Sequence, residues 1–539
     1  MKRKGTNRIF AAFLLSMLMI LSMGMSVFAE TAAAKNISIT NAKDGSIYSA
    51  YQIMTAEVVG QDNEGKAVYN YTVADSFKAF FDGKPYGLNE QNEITKDGTV
   101  ITGDRRWLND NTTDAAALAA ALSRYAIANK ITPAATIGTT AAALPIGYYV
   151  VAETQSTEAA NKDDSGAKEV ATKPILVDLT DDTEITLKDD TTDLEKVIVE
   201  GNEKVKTNNV SIGDDVNFQI TTKIPTYEAN VDKTKLMFEL TDTFSEGLTY
   251  NNDSLNIAGF TADKDYTAEI NGQVLTITFT QDAIYNNQGK AVVATYSAKL
   301  NEKAKVDSTE GNPNDVTLEY TNNTNEDESH KYLNDETKTF TYGFNVHKVD
   351  KVAPSTGLAD AKFQLKGEDG TAIKFVKDGD TYVVAEDQTA EGENITDTIV
   401  SVGGEGLATV KGLEEGSYTL RETEAPDKYT KLADDVIVTI TAVRDENEKE
   451  TGAAQLTASG AGNAKAEGGT AVVDENGKET GSVESDGSTI NINVYVENAK
   501  GISLPETGRN SALYCMIGGA ALIIFGALYY IIGARRRRA

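Results

Sequence analysis

The chain has 539 residues, enough for three or four domains at roughly 150 residues each, and its 40% apolar content suffices for ordinary hydrophobic cores. Its 51 Lys and Arg against 81 Asp and Glu give a formal charge of -30, which argues against a nucleic-acid binder. The histidines are His330 and His347 and the one cysteine is Cys515, so zinc clusters, haem ligation and Cys-His or Ser-His-Asp catalysis are nearly excluded, and we predict no metal and no cofactor.

The N-terminus has the parts of a secretory signal peptide. Basic residues in the first eight positions precede an apolar stretch from Ile9 to about Met25, which ends in Val27-Phe28-Ala29. The small residues before the expected cut favour cleavage after Ala29. We therefore predict a signal peptide over 1–29 and a secreted protein, since the apolar stretch is short for a membrane anchor.

Apolar residues that alternate with period 2 dominate the middle of the chain, for example at Val216, Phe218 and Ile220, and predict an all-β fold. Asn271-Gly272 between two such runs predicts a hairpin. Short strands separated by Gly, Asn and Asp clusters are typical of tandem immunoglobulin-like sandwiches. A helical pattern is clear once, over 113–130 in the first domain.

Polar runs at 181–193, 321–337 and 499–503 separate the sets of strands. They predict an N-terminal domain over 30–190 and two further domains over 191–340 and 341–500. The Gly-, Ala- and Glu-rich segment 451–488 is expected to be a polar insertion in the last of these, formed by surface loops or a hairpin.

Two sets of polar residues fall in phase with the inward-facing apolar positions of their strands. They are Lys196, Asp242 and Asn322 in the second domain, and Lys348, Glu422 and Asn498 in the third. Burial pushes a lysine toward its neutral amine and an acid toward its protonated form. Such an amine can attack an amide carbon while the acid shuttles a proton, with release of ammonia. Strand ends that reach solvent are the alternative explanation of the same phase.

The C-terminal part combines a short motif with an apolar span. Leu504, Pro505, Glu506, Thr507 and Gly508 precede an uncharged stretch over 510–534 and four arginines at 535–538. At ~1.5 Å per residue, this stretch is long enough to cross a ~30 Å hydrocarbon core as a helix. The arginines would hold its end in the cytoplasm. We predict a sorting segment with a transmembrane helix over 501–539.

That pentapeptide resembles the LPxTG sorting signal of Gram-positive surface proteins. The resemblance implies that a sortase cysteine attacks the carbonyl between Thr507 and Gly508, holds the Thr507 end as a thioester and passes it to an amine. An ordinary linker before a membrane helix is the alternative.

Three further segments resemble parts of Gram-positive pilin domains. Residues 418–426, Y-T-L-R-E-T-E-A-P, resemble the E-box of B-type collagen-adhesin-like domains, although the following Asp427-Lys428-Tyr429 departs from the usual ending. Residues 242–250 and 320–322 resemble the A-type pilin domain. The resemblance implies self-catalysed isopeptide bonds, which are Lys348 to Asn498 promoted by Glu422, and Lys196 to Asn322 promoted by Asp242.

The first domain has a similar segment without the accompanying pair. Residues 147–154, G-Y-Y-V-V-A-E-T, have the look of an E-box with Glu153 in phase with the core. Lys35 and Asp178 are the available partners, but no Lys and Asn share the required phase. We expect no bond in this domain.

Lys188 is the candidate acceptor of a sortase-activated subunit. It follows Ile185 and Leu187, which are in phase with each other, so its side chain is expected to point outward. The segment 184–189 is similar in position to the pilin motif V-x-V-Y-P-K-N, although it lacks the Tyr and the Pro. A solvated surface lysine is the alternative.

The chain is identified by these resemblances as a member of the sortase-assembled, LPxTG-anchored major (backbone) pilins. The family implies a structural subunit of a surface fimbria that supports adhesion, anchored to peptidoglycan, with no enzymatic activity beyond its own cross-linking. Its implied partners are sortase, other copies of itself, minor pilins and a host surface ligand. A wall-anchored adhesin or a minor pilin that does not polymerise is the alternative.

Overall fold

The computed structural model describes residues 34–90, 94–101, 112–156, 170–468, 471–473, 479–482 and 492–501, with a few positions between 520 and 527. Among these residues, the strands of the sheets pair within three consecutive segments, 35–185, 194–340 and 342–498, which we call the first, second and third domains. These three segments fall inside the predicted domain limits 30–190, 191–340 and 341–500. The exact limits themselves stay predictions. The predicted signal peptide and the sorting motif lie outside the described residues. No helix within the described part is long and apolar enough to span a membrane.

The first domain combines three sheets with one long helix. Its strands are Lys35–Ile39 (β1), Ile47–Gln61 (β2), Ala67–Val73 (β3), Tyr86–Leu88 (β4), Ile94–Lys96 (β5), Thr99–Val100 (β6), Ala135–Ile137 (β7), Ala142–Leu144 (β8), Gly147–Gln155 (β9), Ile175–Leu179 (β10) and Thr183–Ile185 (β11). They form the sheets β11-β1-β8, β10-β9-β2-β3 with β7 beside β2, and β4-β5-β6. The helices are Lys78–Phe81 (α1), after the short 3-10 turn Asp75–Phe77, and Thr112–Ala128 (α2).

The predicted helix of the first domain is confirmed as α2. Its Ala- and Leu-rich sequence favours helix, and Leu118, Leu122 and Ala126 repeat every four residues, so they lie on one face. That face is buried against Val150 of β9 and Leu176 of β10. The short helix α1 was not expected from the sequence.

The second domain is a sandwich of two six-stranded sheets. Its strands are Leu194–Glu200 (β12), Glu203–Val205 (β13), Thr207–Asn209 (β14), Asp215–Lys223 (β15), Phe238–Phe244 (β16), Leu248–Tyr250 (β17), Asn256–Ile257 (β18), Tyr266–Asn271 (β19), Val274–Phe279 (β20), Ala291–Leu300 (β21), Asn312–Thr321 (β22) and His330–Phe340 (β23). One sheet has the order β13-β12-β15-β21-β17 with β18 beside β21, and the other β14-β23-β22-β16-β20-β19. A short helix, Gln281–Asn286 (α3), and the 3-10 turn Lys233–Lys235 complete it.

The predicted hairpin of the second domain is confirmed. Strands β19 and β20 pair antiparallel up to Asn271 opposite Val274. Gly272 has φ +60°, which a glycine adopts without steric cost. The alternation that predicted the strands puts Val216, Phe218 and Ile220 of β15 into the core.

The third domain is a second sandwich. Its strands are Tyr342–Asp350 (β24), Lys362–Lys366 (β25), Phe375–Asp378 (β26), Thr381–Val384 (β27), Ile395–Thr396 (β28), Ile399–Val400 (β29), Leu407–Leu413 (β30), Gly416–Glu424 (β31), Val436–Arg444 (β32), Glu450–Gly460 (β33), Lys465–Gly468 (β34), Ala471–Val473 (β35), Glu479–Ser482 (β36) and Ile492–Asn498 (β37), with a 3-10 turn at Ala461–Asn463. One sheet has the order β28-β26-β27-β30-β24-β37-β34 and the other β29-β25-β31-β32-β33, while β35 and β36 form a separate hairpin.

The expected insertion over 451–488 is wrong in its first part. Strand β33 pairs with β32 along most of its length and forms an edge of the sheet. The residues that it buries are Glu450, Gly452, Ala453 and Ala454. Because one of these side chains is charged and the other three residues are small, the apolar alternation that marks the other strands is weak here.

Leu122→Ala is expected to destabilise the first domain. Leu122 is fully buried between α2 and the sheet. Its truncation should lower the free energy of unfolding by roughly 2–5 kcal/mol, through lost burial and the cavity left behind. Calorimetry of the full chain would show the loss as a lower transition temperature. Val59→Ala, at a side chain that is 53% exposed, is the control and should change the transition little.

Candidate functional site

The third domain brings a lysine and an asparagine together on neighbouring parallel strands. Strands β24 and β37 pair with Lys348 opposite Val496 and Asp350 opposite Asn498. The alternation of both strands turns Lys348 and Asn498 into the core, and they are 0% and 1% exposed. The phase that predicted this orientation is therefore confirmed for both residues.

Glu422 completes this group from the opposite sheet. It lies on β31, where it points into the core in phase with Leu420, and it is 2% exposed. Its Oε1 lies 3.2 Å from Lys348 Nζ and accepts a hydrogen bond of 2.9 Å from Asn498 Nδ2. Lys348 Nζ donates to Asn498 Oδ1 at 2.6 Å. All three predicted residues thus contact each other in one buried cluster.

The environment of this cluster shifts the lysine toward the neutral amine. Burial lowers the pKa of Lys348 to about 8, although the Glu422 carboxylate acts in the opposite direction. The Phe363 ring lies 5.6 Å from Lys348 Nζ. Glu422 Oε2 accepts a hydrogen bond of 2.7 Å from the backbone N–H of Leu432, which fixes the carboxylate. The arrangement can support attack of an amine on an amide, with an acid in contact with both groups.

The second domain places its lysine and its acid on different sheets. Lys196 lies on β12 of one sheet and Asp242 on β16 of the other, and both are 0% exposed. Lys196 Nζ donates to Asp242 Oδ2. The rings of Phe218 and Tyr296 lie 5.4 and 5.6 Å from Lys196 Nζ. Burial lowers the pKa of Lys196 and raises the pKa of Asp242, in the directions that an amide-forming reaction needs.

The amide beside this pair belongs to Asn314. On β22, Val316 lies opposite Asp242 and Asn314 lies opposite Phe244, so Asn314 and Asp242 are diagonal neighbours on one face. Asn314 is 0% exposed, and its Nδ2 donates to the hydroxyl of Tyr296 at 3.3 Å. The same hydroxyl donates to Asp242 Oδ2 at 2.6 Å. Asn314 is therefore the amide that the structure brings to Lys196 and Asp242.

The predicted acceptor Asn322 is elsewhere, and this corrects the sequence-based assignment. It follows the end of β22, six residues from Val316, which places it about 20 Å along the strand from Asp242. Its Nδ2 donates to Ser329 Oγ at 3.4 Å, and its backbone carbonyl accepts from Ala171 N–H at 3.0 Å. Asn322 thus belongs to the contact between the first and second domains.

The reason for the error is the period of the strand. Asn314 and Asn322 are an even number of residues apart, so both fall in phase with Leu318 and both are buried. Phase gives the direction of a side chain, whereas only the register between β22 and β16 gives its position along the strand. The buried amide of Asn314 was visible in the sequence by the same criterion, while nothing in the pattern marked Tyr296.

Glu153 of the first domain is a buried acid that has no lysine beside it among the residues that the structure describes. It is 1% exposed, and its Oε1 accepts from Ser46 Oγ at 2.9 Å and from Ser156 Oγ at 3.0 Å. Its Oε2 accepts from the N–H and the hydroxyl of Thr172, at 2.8 and 3.0 Å. Four neutral donors therefore hold this carboxyl group.

The other candidates of the first domain lie apart from Glu153. Lys35 Nζ donates to Asp181 Oδ1 at 3.2 Å, and Asp178 Oδ1 accepts from the Tyr71 hydroxyl at 2.6 Å. Within the described part of this domain, the structure brings no lysine and amide to the Glu153 carboxyl group.

Lys188 is exposed, as the phase of its neighbours predicts. Ile185 and Leu187 are 0% and 2% exposed, while Lys188 itself lies on the surface. Its backbone pairs with Lys173 in an antiparallel bridge, and the Lys173 N–H donates to the Lys188 carbonyl at 2.6 Å. The predicted reaction partner of Lys188, at 504–508, lies outside the described residues.

Comparison with protein families matches the second and third domains. Residues 212–324 match the Gram-positive pilin backbone subunit 2, Cna-B-like domain, and residues 343–455 match the prealbumin-like fold domain. The first match includes Asp242 and Asn314, and the second includes Lys348 and Glu422. No curated protein sequence matches the chain.

Solved structures of bacterial pilins are similar to this chain. The T6 backbone pilin of serotype M6 Streptococcus pyogenes has 19% sequence identity and a TM-score of 0.50, over 87% of this chain and 93% of the pilin. The major pilin SpaD of Corynebacterium diphtheriae has 15% identity and a TM-score of 0.42, over 88% of this chain and 99% of SpaD. The similarity to the T6 pilin shows a shared fold. The two family matches show that the chain contains a Gram-positive pilin backbone domain over 212–324 and a prealbumin-like domain over 343–455.

Proposed function

We propose that this protein is the repeating structural subunit of a covalently assembled surface fimbria. The match of residues 212–324 to a pilin backbone subunit is the observation that carries the proposal. A subunit of the fimbrial shaft has to withstand pulling and proteolysis. The buried Lys, acid and amide groups of two successive domains support the formation of internal covalent bonds, which would resist both. A sortase that joins subunits and anchors the last one to peptidoglycan completes the proposal.

In the third domain we infer a bond between Lys348 Nζ and the side-chain carbon of Asn498. The neutral amine attacks this carbon and Glu422, in contact with both groups, transfers the proton. One hydrogen of the amine stays on the new amide, and the other leaves on Nδ2 as ammonia. The bond joins two adjacent strands of one sheet.

In the second domain we infer a bond between Lys196 Nζ and the side-chain carbon of Asn314. Asp242 is the acid, and burial raises its pKa, which favours the protonated form that can stabilise the attacked carbonyl. Asp242 Oδ1 and Asn314 Oδ1 are buried and lack a hydrogen-bond partner among the described residues, so the acid and the carbonyl are free to interact during the reaction. This bond joins the two sheets of the sandwich.

Between subunits we infer a bond from Thr507 of one copy to Lys188 of the next. Lys188 is exposed, and its neighbours Ile185 and Leu187 are buried. This supports the assignment, because the lysine amine has to reach an enzyme-bound thioester while the backbone that carries it stays fixed. Sortase, minor pilins and peptidoglycan are the partners that this role requires, and a host ligand is the partner of an adhesive fimbria.

Glu422→Ala is expected to abolish the third-domain bond. Peptide mass mapping of the full-length wild type should show the peptides of Lys348 and Asn498 joined, with loss of one ammonia, and the variant should show them separate. Loss of a cross-link of this span should lower the stability of the domain by about 5 kcal/mol in the chain-entropy model. Glu424→Ala, at an exposed acid on the same strand, is the control. Separate peptides in the wild type would contradict the proposal.

Asn314→Ala and Asn322→Ala distinguish the two amides of the second domain. Asn314→Ala should leave the Lys196 peptide unjoined, because the reacting carbon is removed, whereas Asn322→Ala should leave the bond intact. The same peptide mapping measures both, with the third-domain bond as the internal standard. A Lys196 peptide that is joined in Asn314→Ala and free in Asn322→Ala would restore the sequence-based assignment.

Lys188→Ala is expected to abolish polymerisation. In cell-wall extracts of the native host boiled in detergent, the wild type should give a ladder of high molecular weight and Lys188→Ala only the monomer. Lys173→Ala is the matched control, because it removes a half-buried amine directly opposite Lys188. A ladder that survives in Lys188→Ala would move the linkage to another lysine. A monomeric wall-bound wild type would support the adhesin instead.

A further inference from the structure

The two lysine sites connect their acid to their amide in different ways. In the third domain, Glu422 Oε1 accepts directly from Asn498 Nδ2 at 2.9 Å. In the second domain, the Tyr296 hydroxyl stands between the two groups, 2.6 Å from Asp242 Oδ2 and 3.3 Å from Asn314 Nδ2. The nitrogen that has to leave as ammonia is thus hydrogen-bonded to a carboxyl group in one domain and to a phenol in the other.

The length of the acid explains the difference. Asp242 has one methylene group fewer than Glu422, and its Oδ2 is in contact with the lysine amine. Tyr296 lies on β21, in the sheet that carries Lys196, and reaches across the core to the acid and the amide of the opposite sheet. The phenol therefore contacts both the acid and the leaving nitrogen of the amide.

The surroundings hold the hydroxyl in place. Tyr296 is 3% exposed, and its ring stacks on Phe218 with the centroids 5.5 Å apart. Phe244 packs edge-on against the same ring at 6.0 Å. Burial and the neighbouring Asp242 raise the pKa of Tyr296 well above its ordinary value, so the phenol keeps its proton and remains a donor.

We propose that Tyr296 is a catalytic residue of the second domain, whose hydroxyl relays a proton from Asp242 to the departing Nδ2 of Asn314. The inference rests on the proposed bond between Lys196 and Asn314. The relay applies to the second domain alone. The proposed bond of the third domain forms without a phenol between its acid and its amide.

The relay balances in atoms and charge. Neutral Lys196 Nζ attacks the amide carbon of Asn314 while Asp242 is protonated. The Tyr296 hydroxyl gives its proton to Nδ2 and takes the proton of the Asp242 carboxyl group, so the phenol is regenerated. The bond from carbon to Nδ2 breaks and ammonia leaves, and one amine proton of Lys196 passes to the Asp242 carboxylate, which restores the acid. No oxidant, metal or other reactant is needed.

Tyr296→Phe tests the relay because it keeps the ring and removes the hydroxyl. General acid–base groups contribute roughly 100-fold to 10,000-fold in rate, so the Lys196 to Asn314 bond should form at least about 100-fold more slowly. Freshly purified full-length protein would be incubated and sampled by peptide mass mapping for the joined peptides. The third-domain bond of the same molecule should be complete and reports that the chain has folded.

Tyr227→Phe is the matched control. Tyr227 is a buried tyrosine of the same domain whose hydroxyl donates to the Thr321 carbonyl at 2.8 Å, away from the site. It should lose a structural hydrogen bond and still form the Lys196 to Asn314 bond fully. Equal slowing in Tyr227→Phe and Tyr296→Phe would show a general effect on packing and overturn the relay.

A second variant tests the reach of the acid. Asp242→Glu in the Tyr296→Phe background lengthens the carboxyl side chain, so that it can contact the amide as Glu422 does in the third domain. Restored bond formation supports the relay, and a folded double variant that stays as slow as Tyr296→Phe overturns it. Bond formation at the wild-type rate in Tyr296→Phe also overturns the relay while leaving the proposed bond intact. A wild type with separate peptides overturns the bond itself.

Discussion

A lysine amine buried in the core of a β-sandwich is the constraint on which the second and third domains depend. Removing an ammonium group from water costs several kcal/mol unless it is fully paired. Side chains alternate between the two faces of a strand, so a lysine at an inward position of a sandwich strand is buried. Lys196 and Lys348 are both fully buried, each beside an acid and an amide. The unfavourable position becomes useful when the amine reacts, since the product amide is neutral and suited to a core.

In the first domain, a similar motif has no amine beside it within the described part of the chain. Glu153 occupies an inward position of a strand that looks like an E-box, but hydroxyl and N–H donors satisfy its carboxyl group. Its backbone carbonyl accepts from the side chains of Asn323 and Asn325 in the second domain, at 3.4 and 3.1 Å. Glu153 therefore contributes to the contact between two domains through its backbone carbonyl, and a local sequence motif does not determine a reaction unless its partners are present.

Alternation was enough to predict the sandwich strands and the orientation of Lys196, Asp242, Lys348, Glu422 and Asn498. It could not place residues along a strand, because Asn314 and Asn322 share one phase and only the pairing of β22 with β16 separates them. Strand β33 was not predicted, because its inward side chains carry little apolar surface. Tyr296 was not predicted, because a tyrosine at an inward position is ordinary until the acid and the amide beside it are known.

The positions of the two proposed bonds imply that the domains carry load differently. In the third domain, Asn498 is the last residue of β37 and Lys348 lies on the first strand, so force passes from one end of the domain to the other through the bond.

In the second domain, Asn314 is followed by the rest of β22 and by β23, which pair antiparallel from Asn312 opposite Thr339 to Thr321 opposite His330. Force transmitted through the bond to Asn314 has to pass up β22 and back down β23. It leaves the hairpin at Phe340, the end of β23, close to the position of Asn314 where it entered the hairpin. Hydrogen bonds of the hairpin are then loaded one after another, and the short pairing of β14 with β23 opposes their opening. With both proposed bonds formed, we therefore expect the second domain to yield before the third under load, while its cross-linked core stays folded.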